Sequence, residues 1–138
     1  MATRELKCVV VTPEMALRDV SANFVALPLY DGEVGILPGR APLVGRLGYG
    51  ELRIKRGNQT ERLYVDGGFV QVHSDVVTVL TPRAIPADQI KPAAAREALE
   101  KAQNALKKAA GPEAQEAQLT AQQKARAQLR VAGHSGIA

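Results

Sequence analysis

The chain has 138 residues, of which 46% are hydrophobic and 4% aromatic, and its formal net charge is +4. That length suits one domain, or a small domain with an appendage. No apolar run approaches the roughly 18–20 residues that span a bilayer, and the apolar run at residues 8–11 is too brief for a signal peptide. We therefore expect a soluble, unprocessed chain that reaches a membrane only through a partner protein.

Residues 1–86 predict short β-strands separated by turns. Hydrophobic and polar residues alternate in three segments, residues 51–55, 62–66 and 69–73. Turn signals lie at Gly57-Asn58, Gly67-Gly68 and Ser74-Asp75. The glycines of residues 45–50 also favour a turn over a phosphate-binding loop, because a strand and not a helix follows them. Strands at this spacing indicate an antiparallel sandwich or barrel.

Residues 87–138 predict two helices instead, because they are rich in Ala, Gln, Glu and Lys. Pro92 suits a first helical turn, and alanine and leucine then recur at spacings of three and four up to Ala109. Gly111-Pro112 ends this helix, and a second is predicted from about Glu113 to Val131, with Gly133 and Gly136 ending it. So short a link predicts an antiparallel hairpin.

The predicted helix seam is lined mainly by alanine, for which two interpretations stay open. Small side chains bury little apolar area, so a hairpin held by them can open at modest cost. Alternatively, the second half is a polar helical appendage with good helix propensity and no switching role.

Residues with catalytic or metal-binding chemistry are not clustered in this sequence. Cys8 is the only cysteine and lies in a predicted strand, so we expect a buried or half-buried thiol and no disulfide. His73 and His134 lie in different halves, and no phosphate-loop motif occurs. We therefore expect no cofactor and no metal. Two alternatives remain. The first is a small sandwich enzyme, which would need clustered catalytic groups that this sequence lacks. The second is a basic nucleic-acid adaptor, which would need aromatic residues for stacking, and these are scarce here.

The segment at residues 31–43, DGEVGILPGRAPL, has an unusual density of glycine and proline. These residues exclude a regular helix and force two tight turns around a short apolar strand. Glu33 and Arg40 then lie near opposite ends of that strand, where a partner could reach both. Taken alone, the pattern favours a structured loop with solvated charges over a binding site.

That segment closely resembles the block EGEFGILPGHAPL of the epsilon subunits of F-type ATP synthases, which are equivalent to the mitochondrial delta subunit. Further blocks follow the same family in order: TPE at residues 12–14, GELRI at 50–54, GGFVQV at 67–72 and VVTVL at 76–80. The helical half resembles the family in layout, with weaker sequence specificity.

The resemblance implies an N-terminal ten-stranded antiparallel β-sandwich, residues 1–86, and a C-terminal antiparallel two-helix hairpin, residues 87–138. In that family the sandwich binds the foot of the gamma subunit and rests on polar loops of the membrane c-ring. The ring-facing residues implied here are Glu33, Arg40, Ala41, Pro42 and Leu43. Arg40 replaces a histidine common in relatives, and a permanent cation should make pairing with an acidic loop less sensitive to pH.

In the same family the helical half can extend along gamma into the catalytic alpha/beta hexamer and restrain ATP hydrolysis. No acidic residue follows Glu116. Because the extended hairpin of relatives approaches an acidic loop of the beta subunit, the residues implied to hold that loop are Lys124, Arg126 and Arg130. The alternative is a solvated helix end whose cations complement the helix dipole.

Some bacterial relatives also bind ATP, through an I/L-D-x-x-R-A motif at the start of the first helix. In this chain Lys91 replaces the Asp of the motif and Ala94 replaces its Arg. Arg96 follows two positions late, which is about 200° around a helix. Nucleotide sensing is therefore not expected.

Taken together, the resemblance implies a non-catalytic rotor subunit without a cofactor. Such a subunit couples ion flow through the membrane ring to ATP synthesis and restrains hydrolysis through its C-terminal helices. The implied location is the cytoplasmic face of the bacterial inner membrane, reached through the complex, with no nucleic acid as partner.

Overall fold

A computed structural model describes the backbone of residues 4–135 and the side chains of residues 4–133. The chain divides into two compact units between Pro86 and Ala87. The first unit contains all of the strands and the second all of the helices of this described part.

The first unit is built from eight strands among the described residues. They are β1 (Leu6–Val11), β2 (Ala16–Ala22), β3 (Phe24–Leu29), β4 (Gly32–Ile36), β5 (Leu43–Arg56), β6 (Gln59–His73), β7 (Val76–Leu80) and β8 (Ala84–Pro86). Their order in the sheet is β2-β1-β7-β6-β5-β3-β4, and β8 pairs with β6. β2 also contacts β5, and Arg18 of β2 makes an ion pair with Glu61 of β6 at 2.9 Å. The sheet thus folds over into the two layers of a β-sandwich, which is one of the two architectures that the strand spacing indicated and the one that the resemblance implied.

The core of the sandwich is a cluster of aliphatic side chains contributed by β1 to β7. Its largest members include Leu27, Ile36, Leu52 and Leu63, all fully buried. Leu52 and Leu63 face each other on paired strands. This agrees with the alternation seen in the sequence, because one side chain in two along each strand points inward.

The strand pairing corrects the expectation of a wholly antiparallel sheet. Six of the seven pairings among the described strands are antiparallel, but β1 and β7 run parallel, with Val9 opposite Thr78. Only neighbours joined by a hairpin must run antiparallel, and these two strands are far apart in sequence. β1 therefore occupies an interior place, between β2 and β7.

The count of ten strands is not confirmed, because the described residues form eight. β5 and β6 are 14 and 15 residues long and run through glycine segments that predicted turns. In β6 the residues of the hydrophobic core change from odd-numbered Leu63 and Val65 to even-numbered Val70 and Val72. Gly67 and Gly68, with φ of 78° and 108°, lie at this change of face. These glycines redirect the strand without ending it.

The glycines of residues 45–50 likewise lie inside β5 and do not form the predicted turn. A Cβ at Gly48 would lie 3.0 Å from the carbonyl oxygen of Leu29, and one at Gly50 would lie 2.9 Å from the Cβ of Pro28. These positions thus allow β3 to approach β5 closely. β8 was not predicted, since it occupies the proline-containing stretch that was interpreted as a boundary.

The second unit contains a short 3₁₀ turn, Ala87–Gln89, and two helices, α1 (Pro92–Lys108) and α2 (Pro112–Ser135). Pro92 occupies the first turn of α1, where a missing N–H costs nothing. Gly111, with φ of 91°, lies in the link, and the helices pack against each other as the predicted hairpin.

α2 is longer than the sequence predicted, because it runs through Gly133 to Ser135. One glycine near a helix end costs only about 1 kcal/mol, which the surrounding residues can offset. Gly136 lies outside the described residues. Part of the predicted alanine seam is buried, namely Ala95, Ala102 and Ala125, whereas Ala98 and Ala117 are exposed.

Candidate functional site

The predicted ring-facing residues divide between a loop and a strand. The loop joining β4 to β5 turns at Pro38-Gly39, and Gly39 has the positive φ of 86° that glycine adopts most readily. Arg40, Ala41 and Pro42 follow this turn and are exposed, and half-buried Leu43 begins β5. We call residues 38–43 the 38–43 loop. Its exposed polar and apolar groups make it suitable for contact with a partner.

The carboxylate of Asp75 holds this loop in place. Its Oδ1 accepts a hydrogen bond from the N–H of Gly39 at 2.8 Å, and its Oδ2 accepts one from Nε of Arg4 at 2.7 Å. The Gly39 N–H, together with the Arg4 guanidinium, holds the pKa of Asp75 below its ordinary value of 3.8, although partial desolvation acts in the opposite direction. Asp75 is thus a charged anchor at neutral pH.

Sequence analysis did not identify Asp75 as a site residue, because Ser74-Asp75 indicated only a turn. The nearest signal in the sequence is the pair of residue types that occupies this turn. Two-residue hairpin loops with positive φ strongly prefer Asn-Gly, and Ser74-Asp75 departs from that preference. No sequence pattern indicates that a side chain in one turn binds the backbone of another.

Glu33 lies on β4 and is already paired within the protein. Its Oε1 lies 2.6 Å from NH2 of Arg53, and the Glu33 side chain is 50% exposed. Arg53 lies 3.5 Å from Glu51, which also accepts a hydrogen bond from Arg62 at 2.9 Å. A partner that binds Glu33 would therefore compete with Arg53, a residue to which the sequence analysis gave no role.

The structure does not bring Glu33 and the 38–43 loop together in one cluster. Glu33 pairs with Pro28 of β3, whereas Leu43 pairs with Val72 near the end of β6. Glu33 lies within β4, whereas Arg40 follows the end of that strand, and only Arg40 to Leu43 are consecutive in the chain.

Beside the loop lies a set of exposed apolar side chains that sequence analysis gave no role. Val44 is 76% exposed, Phe69 59% and Leu80 49%. Phe69 and Leu80 are direct cross-strand neighbours, and Val44 shares their face, since Arg46 pairs with Phe69. We call these three residues the outer apolar face. The sequence alternation does place Phe69 opposite the core, but alternation alone cannot show that neighbouring strands add to the patch.

The three cations predicted to hold the beta subunit lie on α2 and differ in their surroundings. Arg126 and Arg130 are exposed and four residues apart, so they share one side of the helix. Among residues 4–133, neither has a carboxylate partner within 4.0 Å. Lys124 is half-buried and engaged in an interaction within the protein. Arg126 and Arg130 are therefore the two exposed cations of the predicted three.

The remaining residues considered in the sequence are the positions of the nucleotide-binding motif, the two histidines and the cysteine. Lys91 lies immediately before α1, and Ala94 and Arg96 are exposed within it. His73 is exposed at the end of β6, and the side chain of His134 lies outside the described residues. Cys8 is fully buried, and burial, followed by the nearby Glu61 charge, raises the pKa of its thiol to about 12.

Two further properties concern metals and membranes. Within the described part of the chain, no group of three or more His, Cys, Asp or Glu side chains is arranged to hold a metal ion. None of the described helices has both the length and the apolar character required to cross a bilayer.

Comparisons with known proteins identify relatives of this chain. The family model for "ATP synthase, Delta/Epsilon chain, beta-sandwich domain" matches residues 5–87. An ATP synthase epsilon chain of Rhodopirellula baltica is 60% identical over 83 residues, which cover 60% of this chain and 65% of that relative. The epsilon chain of Bordetella avium is 41% identical over 128 residues, covering 88% of this chain and 91% of the relative.

Solved structures extend the likeness to both units of the fold. A chain of the Euglena gracilis mitochondrial ATP synthase, in a structure of OSCP, F1 and the c-ring, matches with a TM-score of 0.84 at 20% identity. It covers 97% of this chain and 84% of the neighbour. A chain of the Tetrahymena thermophila central stalk and c-ring matches with a TM-score of 0.72 at 12% identity, covering 96% and 99%. At such identities the likeness establishes the fold.

The resemblance noted in the sequence is confirmed by these findings. The family model covers more than half of the chain, and the Bordetella relative aligns with most of it. The chain therefore belongs to the ATP synthase delta/epsilon family.

Proposed function

We propose that the chain is a non-catalytic central-stalk subunit of a rotary ATP synthase. In this role its sandwich binds the gamma subunit and the membrane ring, and so couples ion flow to ATP synthesis. Its helical unit restrains ATP hydrolysis by the catalytic hexamer. It acts at the cytoplasmic face of the membrane, which it reaches through the complex.

The observation that carries the proposal is that two exposed surfaces of different character adjoin in the sandwich. The exposed 38–43 loop ends at Leu43, and the outer apolar face begins at Val44. A subunit that joins a shaft to a ring needs one surface for each of them, close enough for torque to pass through a rigid element. The loop leads directly into β5, and β5 and β6, which carry Val44 and Phe69, are long, paired strands that supply that rigidity.

The outer apolar face is suited to the gamma subunit. Neighbouring exposed apolar side chains mark protein-binding surfaces when they form a patch. Phe69 and Leu80 form a cross-strand pair, and aromatic residues are enriched in the centres of interfaces. By contrast, the 38–43 loop combines Arg40 with small residues and suits a polar, acidic loop of the ring.

Binding to the purified gamma subunit tests this proposal. We expect Phe69→Asp to weaken binding about tenfold or more, because a charge would be buried at the centre of the interface. Phe69 is 59% exposed in the free chain, so the melting temperature should change little. Thr60→Asp is the control, because Thr60 is exposed on the same strand, β6, but lies near its other end.

Two results would contradict the proposal. If the unaltered chain bound neither gamma nor the gamma–ring assembly, the central-stalk role would be wrong. If it bound gamma and both variants bound equally well, the outer apolar face would not be the gamma-binding surface.

A further inference from the structure

The turn between β6 and β7 has an unusual backbone. His73 pairs with Val76, so Ser74 and Asp75 alone form the hairpin loop. Both are in the left-handed region, with φ of 50° and 64°. Glycine or asparagine adopts such angles at the least cost, and other residues persist there when the surrounding structure holds them.

Asp75 is held by contacts to two distant parts of the chain. Its backbone carbonyl accepts a hydrogen bond from the N–H of Lys7 at 2.8 Å. Its carboxylate binds Nε of Arg4, 71 residues away, and the N–H of Gly39, 36 residues away. The Asp75 side chain is only 18% exposed. One residue thus connects the β6–β7 turn to the N-terminal segment and to the 38–43 loop.

The bond to Gly39 matters because the loop has few other restraints. Among residues 4–135, no other hydrogen bond to residues 38–42 is present. Gly39, Arg40, Ala41 and Pro42 are exposed, so packing restrains them weakly as well. The Asp75 carboxylate is therefore the principal contact that fixes the turn from which Arg40 is displayed.

We infer that Asp75 is a positioning residue, an inference that rests on the proposed function. It holds the Pro38-Gly39 turn in one conformation, so that Arg40 to Leu43 meet the polar loops of the ring already ordered. A loop ordered before binding loses less conformational entropy when the partner arrives. Without this carboxylate the loop samples many conformations and binds the ring less tightly.

The variant Asp75→Gly distinguishes a positioning role for Asp75 from a purely structural role in the turn. Glycine suits φ of 64° better than aspartate does, so Asp75→Gly should favour the turn itself. If Asp75 served only the turn, this variant would be at least as stable and would bind the ring at least as well. If Asp75 positions the loop, stability and binding should separate.

Hydrogen exchange in the full-length chain measures the order of the loop directly. We expect the amide of Gly39 to exchange about tenfold faster in Asp75→Gly, with a melting temperature no lower than that of the unaltered chain. Ser74→Gly is the matched control, since it relieves the same turn and keeps the carboxylate. Asp75→Asn should restore slow exchange, because its amide oxygen can still accept the Gly39 N–H.

Binding to the purified gamma–ring assembly completes the test. We expect Asp75→Gly to bind about three- to tenfold more weakly, while Ser74→Gly and Asp75→Asn remain close to the unaltered chain. A stable Asp75→Gly variant with unchanged Gly39 exchange or unchanged affinity would overturn the inference. So would an Asp75→Gly variant that melts well below the unaltered chain, since the carboxylate would then be structural. Failure of the unaltered chain to bind would instead count against the proposed function.

Discussion

At the scale of single residues, the sandwich keeps its reactive and charged groups in sharply different environments. The Cys8 thiol is fully buried among aliphatic side chains, and its pKa is raised to about 12. The Asp75 carboxylate is a charged contact between segments, and its pKa is lowered. The Cys8 thiol therefore stays protonated and unreactive at neutral pH, whereas the Asp75 carboxylate stays ionised and hydrogen-bonded.

Burial of Cys8 leads to a prediction about alkaline stability. The folded state holds the thiol proton more tightly than the unfolded state, in which the pKa is near the ordinary 9.0. The contribution of the protonated thiol to the free energy of unfolding is therefore complete below pH 9 and is progressively lost as the pH rises toward 12. We expect the unaltered chain to lose stability over this range more steeply than Cys8→Ala does, as measured by urea unfolding.

Thiol labelling gives an independent check on the same residue. Under native conditions at pH 8, Cys8 should react with a thiol reagent only as fast as the protein unfolds. Labelling at the rate of a free thiol would show that the strand opens locally, and the assignment of Cys8 to the rigid core would then be wrong.

At the scale of elements, α2 presents a pair of cations, and β6 changes direction without ending. Arg126 and Arg130 are exposed on one side of a helix that contains no acidic residue after Glu116. Exposed ion pairs contribute only about 0–1 kcal/mol each, so a grip on an acidic loop requires several of them acting together.

The proposed restraint on hydrolysis can be tested on these cations. We expect Arg126→Ala combined with Arg130→Ala to raise ATP hydrolysis by the reconstituted catalytic sector several-fold, because the hold on an acidic loop is lost. Adding Lys124→Ala should raise it further. The control removes two exposed lysines from α1, as Lys107→Ala with Lys108→Ala. Equal activation by the control would mean that the α2 cations have no specific role.

The sequence predicted element types well and their continuity poorly. Alternation and turn residues located most strands, Pro92 marked the start of α1 correctly, and Gly111 lies in the link that follows its end. The glycine pair Gly67-Gly68 was wrongly interpreted as a break, because glycine signals special backbone geometry without showing whether pairing continues across it. Asp75 was missed for another reason, since its role depends on a contact 36 residues away. Such contacts have no local signature.

At the scale of the whole molecule, the chain is divided into two units, and the residues of each unit pack among themselves. Every member of the sandwich core lies between Leu6 and Val79. In the second unit α2 contacts both α1 and the 3₁₀ turn. We infer that the sandwich does not depend on the helices for its fold.

Removal of residues 87–138 tests this independence. We expect the chain ending at Pro86 to fold with a single cooperative melting transition, because its core is complete. Reconstituted in place of the full chain, it should support assembly and raise hydrolysis at least as much as loss of the α2 cations. If it assembles and hydrolysis does not change, the helical unit does not inhibit in this enzyme. If it does not fold, the sandwich depends on the helices.

The parallel pairing of β1 with β7 has a consequence for the order in which the protein acquires its structure. Val11 pairs with Leu80, 69 residues later, whereas β2 follows β1 directly. During synthesis the β1–β2 hairpin can form early, but it cannot take its place in the sheet until β7 has been made. Contacts so distant in sequence form slowly. Until then the unpaired edge of β1 is free to pair with a strand of another nascent chain, which exposes the growing protein to aggregation at this edge.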